Sequence, residues 1–148
     1  MKNLHKIINE TDYDMKPYQP LFDSFIPYSQ KKMGYDKPVT ILFLSDKNNM
    51  KNPLGKTGFY DPANSIIGVY GDGRHIKDIL RSLSHELVHH TQNCRGESLE
   101  KYQTGEGYAQ KNPHLRKMEE EAYLRGNMLF RDWEDNYKKE KITLRIKK

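Results

Sequence analysis

Residues His85-Glu86-Leu87-Val88-His89 constrain this chain more than any other stretch of it. Side chains four apart on an α-helix stand one above the other on the same face. Two imidazoles so placed can hold one metal ion, each at roughly 2.0–2.1 Å. Glu86 projects toward the same side, where it can accept a proton from a water that the metal acidifies. The segment is therefore expected to be helical, with one face on a core and another on a cleft.

The flanking sequence meets that demand. Residues 76–92 contain no Pro, Asp72 or Gly73 is available as N-cap, and Gly96 follows as a stop signal. With Ile76 as zero, Leu80, Leu83 and Leu87 fall within about 40° of it, and Ile79 lies at about 300°. His85 and His89 fall at about 180° and 220°, and Glu86 at about 280°. The two His, the candidate ligands, thus lie away from the apolar stripe. His90 points about 100° away from His89 and reads as structural. Cys94 lies about 140° from His89, poorly placed as a ligand and better read as an inert thiol.

A catalytic zinc usually takes three protein ligands and leaves one position for water. One extension of the motif continues Gly-x-x-His, but Gln92 and Arg95 occupy those places here. The other common solution is a Glu from a later helix. Residues 113–137 read as one, with Asn112 as N-cap and Pro113 at the first helical position. With Leu115 as zero, Met118, Ala122, Gly126, Leu129 and Trp133 cluster within about 60°. Glu119 lies at about 40°, on the inward flank, while Glu120 and Glu121 lie at about 140° and 240°. Glu119 is the best placed of the three, and Glu120 and Glu121 stay open as alternatives. Gly126 in the stripe would let another helix approach closely.

The motif followed by Glu119-Glu120-Glu121-Ala122-Tyr123 resembles the zincin metallopeptidases of the gluzincin type. Those carry a downstream Glu-x-x-Ala or Glu-x-x-x-Asp helix whose first Glu is the third ligand, which the resemblance places on Glu119. Tyr123 stands where many of them have an Asp that supports a ligating His; a phenol can make a similar hydrogen bond. The resemblance covers residues 20–137. It implies an α+β, zincin-like fold, with a short, mainly antiparallel sheet packed on helices, the motif helix and a C-terminal Glu-bearing helix. It also implies one Zn2+ ion and hydrolysis of a peptide or protein substrate, with Glu86 as general base. Such enzymes use a Tyr or His to bind the oxyanion, for which Tyr102, Tyr108, His114 and Tyr123 are the candidates. The competing expectation is a catalytically silent, zincin-like module that binds an acidic or nucleic-acid partner.

A chain of 148 residues is expected to form one domain, here residues 1–137, with residues 138–148 as a basic tail. That tail holds six Lys or Arg against Glu140, which matches the whole-chain excess of +5. The basicity is a property of the tail, whose bland reading is a solubilising end with a short strand at residues 142–146, so nucleic acid is not the expected partner. No run approaches the roughly 20 apolar residues needed to span a bilayer. With one cysteine and no apolar leader, a cytoplasmic setting is expected.

Along the rest of the chain, residues 1–16 read as a short helix or loose arm. Residues 17–33 read as a helix with Leu21, Phe22 and Phe25 inward, a disturbance at Pro27 and Gly34 as C-cap. Residues 39–44 read as a buried strand, and residues 57–60 and 66–70 as a hairpin turned by Asp61-Pro62-Ala63-Asn64. One strand of that hairpin is a candidate edge for pairing with extended substrate. Residues 96–111 read as a long loop beside the site.

Overall fold

The computed structural model describes residues 4–46, 57–97 and 113–147, with side chains as far as residue 139. Among these residues it is an α+β arrangement of four strands and three α-helices. The strands are β1 (His5–Asn9), β2 (Val39–Leu44), β3 (Gly58–Asp61) and β4 (Ile66–Tyr70). The helices are α1 (Gln19–Met33), α2 (Ile76–Cys94) and α3 (Pro113–Lys147).

The sheet runs in the order β1-β2-β4-β3. β1 pairs parallel with β2, β2 pairs parallel with β4, and only β3 and β4 are antiparallel. The sheet is therefore mixed, not mainly antiparallel as the sequence led one to expect. The difference begins in residues 1–16, where a strand replaces the expected short helix or loose arm. Parallel neighbours need a crossover connection, and α1 supplies it between β1 and β2. β1 is an edge strand with mostly exposed side chains, so little hydrophobic alternation announces it.

α1 follows its sequence closely. Phe22 and Phe25 are buried, Pro27 sits inside the helix, and Gly34 ends it at φ 84°, a conformation that costs glycine little. The β3–β4 turn is held by Asp61, whose carboxylate accepts from the Ala63 amide (3.1 Å) and from Asn64 Nδ2 (2.9 Å).

α2 is capped by His75, whose ring accepts from the Lys77 amide at 3.1 Å, in place of the expected Asp72 or Gly73. Asp72 is buried instead, accepting from Tyr13 Oη at 2.6 Å and Ser45 Oγ at 2.8 Å. α2 lies between β3 and β4 on one side and α3 on the other. Its stripe of Leu80, Leu83 and Leu87 joins Ile41, Ile67 and Phe130 in the core.

α3 does not stop near residue 137; its backbone continues to Lys147 through the expected tail and short strand. Residues 127–148 contain neither Gly nor Pro, and Lys, Glu, Arg and Leu are good helix formers. Trp133 ties α3 to α1 by donating to Ser24 Oγ at 3.0 Å and packing on Phe25. Among the described residues no helix is long and apolar enough to cross a membrane.

Candidate metal centre

The helical period brings His85 and His89 together on α2, with ring centroids 5.0 Å apart. Glu119 reaches them from α3. Its carboxylate oxygens lie 3.4 Å from His85 Nε2 and 3.0 Å from His89 Nε2. One ligand atom from each of the three residues falls within 4.8 Å of the others. Ligands at about 2.0–2.1 Å on the corners of a tetrahedron stand roughly 3.4 Å apart, so these separations suit one small divalent cation. The donor set, two imidazole nitrogens and a carboxylate oxygen, fits the same ion.

A close helix contact sets that spacing. A Cβ on Gly126 would lie 3.1 Å from both Cα and N of His85, and Ser84 Oγ donates to the Gly126 carbonyl at 2.7 Å. α3 approaches the motif this closely because residue 126 lacks a side chain; a Cβ would make the His85 backbone give by a few tenths of an ångström.

Hydrogen bonding fixes which nitrogen of His89 faces the middle of the cluster. Gln92 is fully buried, and its Nε2 donates to the Met118 carbonyl (2.9 Å) and to Glu121 (2.8 Å). Its Oε1 is thus left as the acceptor for His89 Nδ1–H at 2.8 Å, so Nε2 is the nitrogen turned toward Glu119. Arg95 in turn donates to both Glu121 oxygens, at 2.7 and 3.2 Å. Glu121 therefore belongs to this supporting chain, while Glu120 is exposed. In the sequence Gln92 served only to exclude a longer motif; its place three residues after His89 was the missed signal.

Hydrogen bonds from His85 and His89 hold the Glu119 carboxyl well below the usual carboxylate range. Burial pulls His89 down, but hydrogen bonding and charge from Glu119 outweigh it and the net shift is upward. Glu86 is 6% exposed, and burial pushes its carboxyl up, although His89 and His85 pull the other way. A carboxylate with a raised pKa is a better proton acceptor near neutrality.

Glu86 lies under the edge strand. A Cβ on Gly58 would lie 3.5 Å from Glu86 Cγ and 2.8 Å from the Gly68 carbonyl oxygen, so β3 can lie here only with glycine. The three metal-facing residues and Glu86 open onto a cleft of about 770 Å³. β3 forms one wall, and Glu119, Tyr123 and Asn127 of α3 form another.

The remaining candidates are dispersed. Tyr123 is in the cleft, its ring edge-on to His85 with centroids 6.4 Å apart, and is 65% exposed. His114 Nε2 is turned toward Glu97, 4.0 Å away. Tyr102 and Tyr108 lie outside the described residues. His90 is buried and structural: Nε2 donates to the Lys37 carbonyl and Nδ1 accepts from Tyr60 Oη, both at 2.8 Å. Cys94 Sγ lies 3.8 Å from His90 Nε2, in that structural cluster.

No protein-family model, curated protein or solved structure matches the chain. The fold and site define an α+β domain with a His-His-Glu cluster of metal-binding geometry.

Proposed function

We propose that this chain is a zinc-dependent peptidase of the zincin kind, with His85, His89 and Glu119 holding the ion. The observation that carries the reading is the position of Glu86. A purely structural zinc site usually has four protein ligands and needs no base. Here three ligands meet beside a buried carboxylate with a raised pKa, in a cleft bordered by an edge strand.

Zinc bound there would lower the pKa of water and polarise a carbonyl oxygen. Glu86 takes a proton from water as the water oxygen attacks the scissile carbonyl carbon. As the C–N bond breaks, Glu86 delivers that proton to the leaving amine. The outer edge of β3 offers backbone groups to an extended substrate, so the peptide can lie along the strand above α2. Tyr123, exposed beside His85, is the candidate donor to the oxyanion. The single Cys94 suits a reducing, cytoplasmic setting.

Glu86→Gln tests the assignment. The variant should hold stoichiometric zinc by elemental assay and lose hydrolysis of a mixed peptide library. Full activity would remove Glu86 from the reaction, and peptide capture without cleavage by the parent protein would indicate a binding module instead.

A further inference from the structure

The cleft extends beyond the metal-facing residues. It continues toward the start of α2, past Ser82 and Arg81 to Asp78 and Arg74. Arg81 is one turn before His85 and on the same face, about 6 Å along the axis. An extended peptide advances about 3.3 Å per residue, so this arm is reached one or two residues from the scissile bond.

The chemistry of the arm is cationic and polar. The α2 residues lining it are Asp78, Arg81 and Ser82, with no aliphatic side chain to receive an apolar group. Arg74 is half-buried, and its guanidinium donates to four uncharged oxygens. These are the Thr57 carbonyl (3.2 Å), the Tyr70 carbonyl (2.8 Å), the Asp78 carbonyl (2.8 Å) and Ser82 Oγ (2.6 Å). Its position is thereby fixed, while its charge meets no carboxylate within ion-pair distance among the described residues. Arg81 does have a counter-ion, Asp78 Oδ1 at 2.8 Å, but both side chains are about half exposed, at 49% and 51%. An exposed pair of that kind contributes little and gives way readily to a better partner. Its guanidinium also lies 5.3 Å over the Phe130 ring, which holds it in place beside the cleft. Arg74, Arg81 and Asp78 together leave the arm with one net positive charge.

We infer that this arm is a subsite for a substrate carboxylate, bound by Arg81 in the field of Arg74, one or two residues from the bond that is cut. The inference rests on the peptidase reading for the meaning of "cut", but not for the binding itself. The carboxylate has two possible sources, an Asp or Glu side chain or the end of a peptide chain. The geometry asks only for the group.

The test uses zinc-loaded Glu86→Gln protein, which binds without turnover, and a fluorescent peptide set. The peptides carry Glu, Gln or Lys near the centre, each with a free or an amidated C-terminus. The carboxylate forms should bind roughly tenfold more tightly than their amide counterparts. Loss on amidation identifies the chain end as the source, and loss on Glu→Gln exchange identifies the side chain. Adding Arg81→Glu to this protein should invert the preference toward Lys, and adding Arg81→Lys should keep it. The same measurements on metal-free protein should show the same order, because a preference confined to the zinc form would mean direct ligation to the metal. Equal binding of Glu, Gln and Lys peptides together with equal binding of their free and amidated forms, or an Arg81→Glu protein with unaltered preference, overturns the inference. The parent enzyme separates the two proposals. Peptides that bind with carboxylate preference but are never cleaved defeat only the peptidase reading, and cleavage without charge preference defeats only the subsite.

Discussion

Gln92 holds His89 through its side-chain oxygen at 2.8 Å while its side-chain nitrogen is bonded to α3, so one buried amide couples a metal-facing imidazole to the helix bearing Glu119. Replacing it touches no ligand directly. Gln92→Ala should nevertheless weaken zinc binding by about 10- to 100-fold, the usual effect of losing such a support. It should also lower stability by about 1–3 kcal/mol, because the Met118 carbonyl and His89 Nδ1–H are left buried without their partner. Chelator competition and thermal unfolding measure the two effects. An unchanged zinc affinity would show that packing alone orients His89.

Three adjacent glutamates give a clean internal comparison. Glu119→Ala should abolish stoichiometric zinc after reconstitution, whereas Glu120→Ala should leave it intact, since residue 120 is exposed. Glu121→Ala should give an intermediate loss, because Glu121 supports Gln92 and Arg95. Elemental assay of the three proteins decides it, and zinc retained by Glu119→Ala would move the third ligand elsewhere.

Gly58 sits where a Cβ would press on the Gly68 carbonyl oxygen at 2.8 Å. Gly58→Ala must therefore displace β3 from its neighbour strand above Glu86. Peptide hydrolysis should fall by roughly 10- to 100-fold, the scale of a misplacement near 1 Å. Zinc content should stay stoichiometric, since β3 supplies none of the three ligands. Parallel loss of zinc and activity would mean that β3 supports the metal site itself.

His5 supplies a pH dependence remote from the metal. Burial, helped by the charge of His90, lowers its pKa to about 4, and its Nε2 lies 2.6 Å from Tyr35 Oη. An unfolded His titrates near 6.5. Between those values the unfolded chain binds more protons than the native one, so this group's contribution is full above about pH 6.5 and is lost as pH falls toward 4. Metal-free protein should lose stability over that window more steeply than metal-free His5→Gln. An NMR titration should find the His5 ring neutral until about pH 4; a midpoint near 6.5 would contradict its burial.

The parts of this protein legible from residue order are those in which spacing translates directly into direction. Four residues of helix place His85 over His89, and the phase of residues 115–133 separates Glu119 from its two neighbours. Long-range pairing is not written that way. β1 joins β2 in parallel across about thirty residues, and its exposed, edge-strand composition leaves no period to read. The end of α3 went unread because a run of lysines looks like a solvated tail, although nothing in it stops a helix. Gln92, Arg74 and Arg81 gain their roles from neighbours that only folding brings close.

The missing side chain at Gly126 acts as a gauge for the cluster. Three groups borne on two stiff rods stand this close together while the rods touch backbone to backbone. A methyl group at residue 126 would press on the His85 backbone and wedge the rods a few tenths of an ångström apart, spreading the three groups. The spacing of this His-His-Glu cluster is thus governed in part by a residue that has no side chain at all.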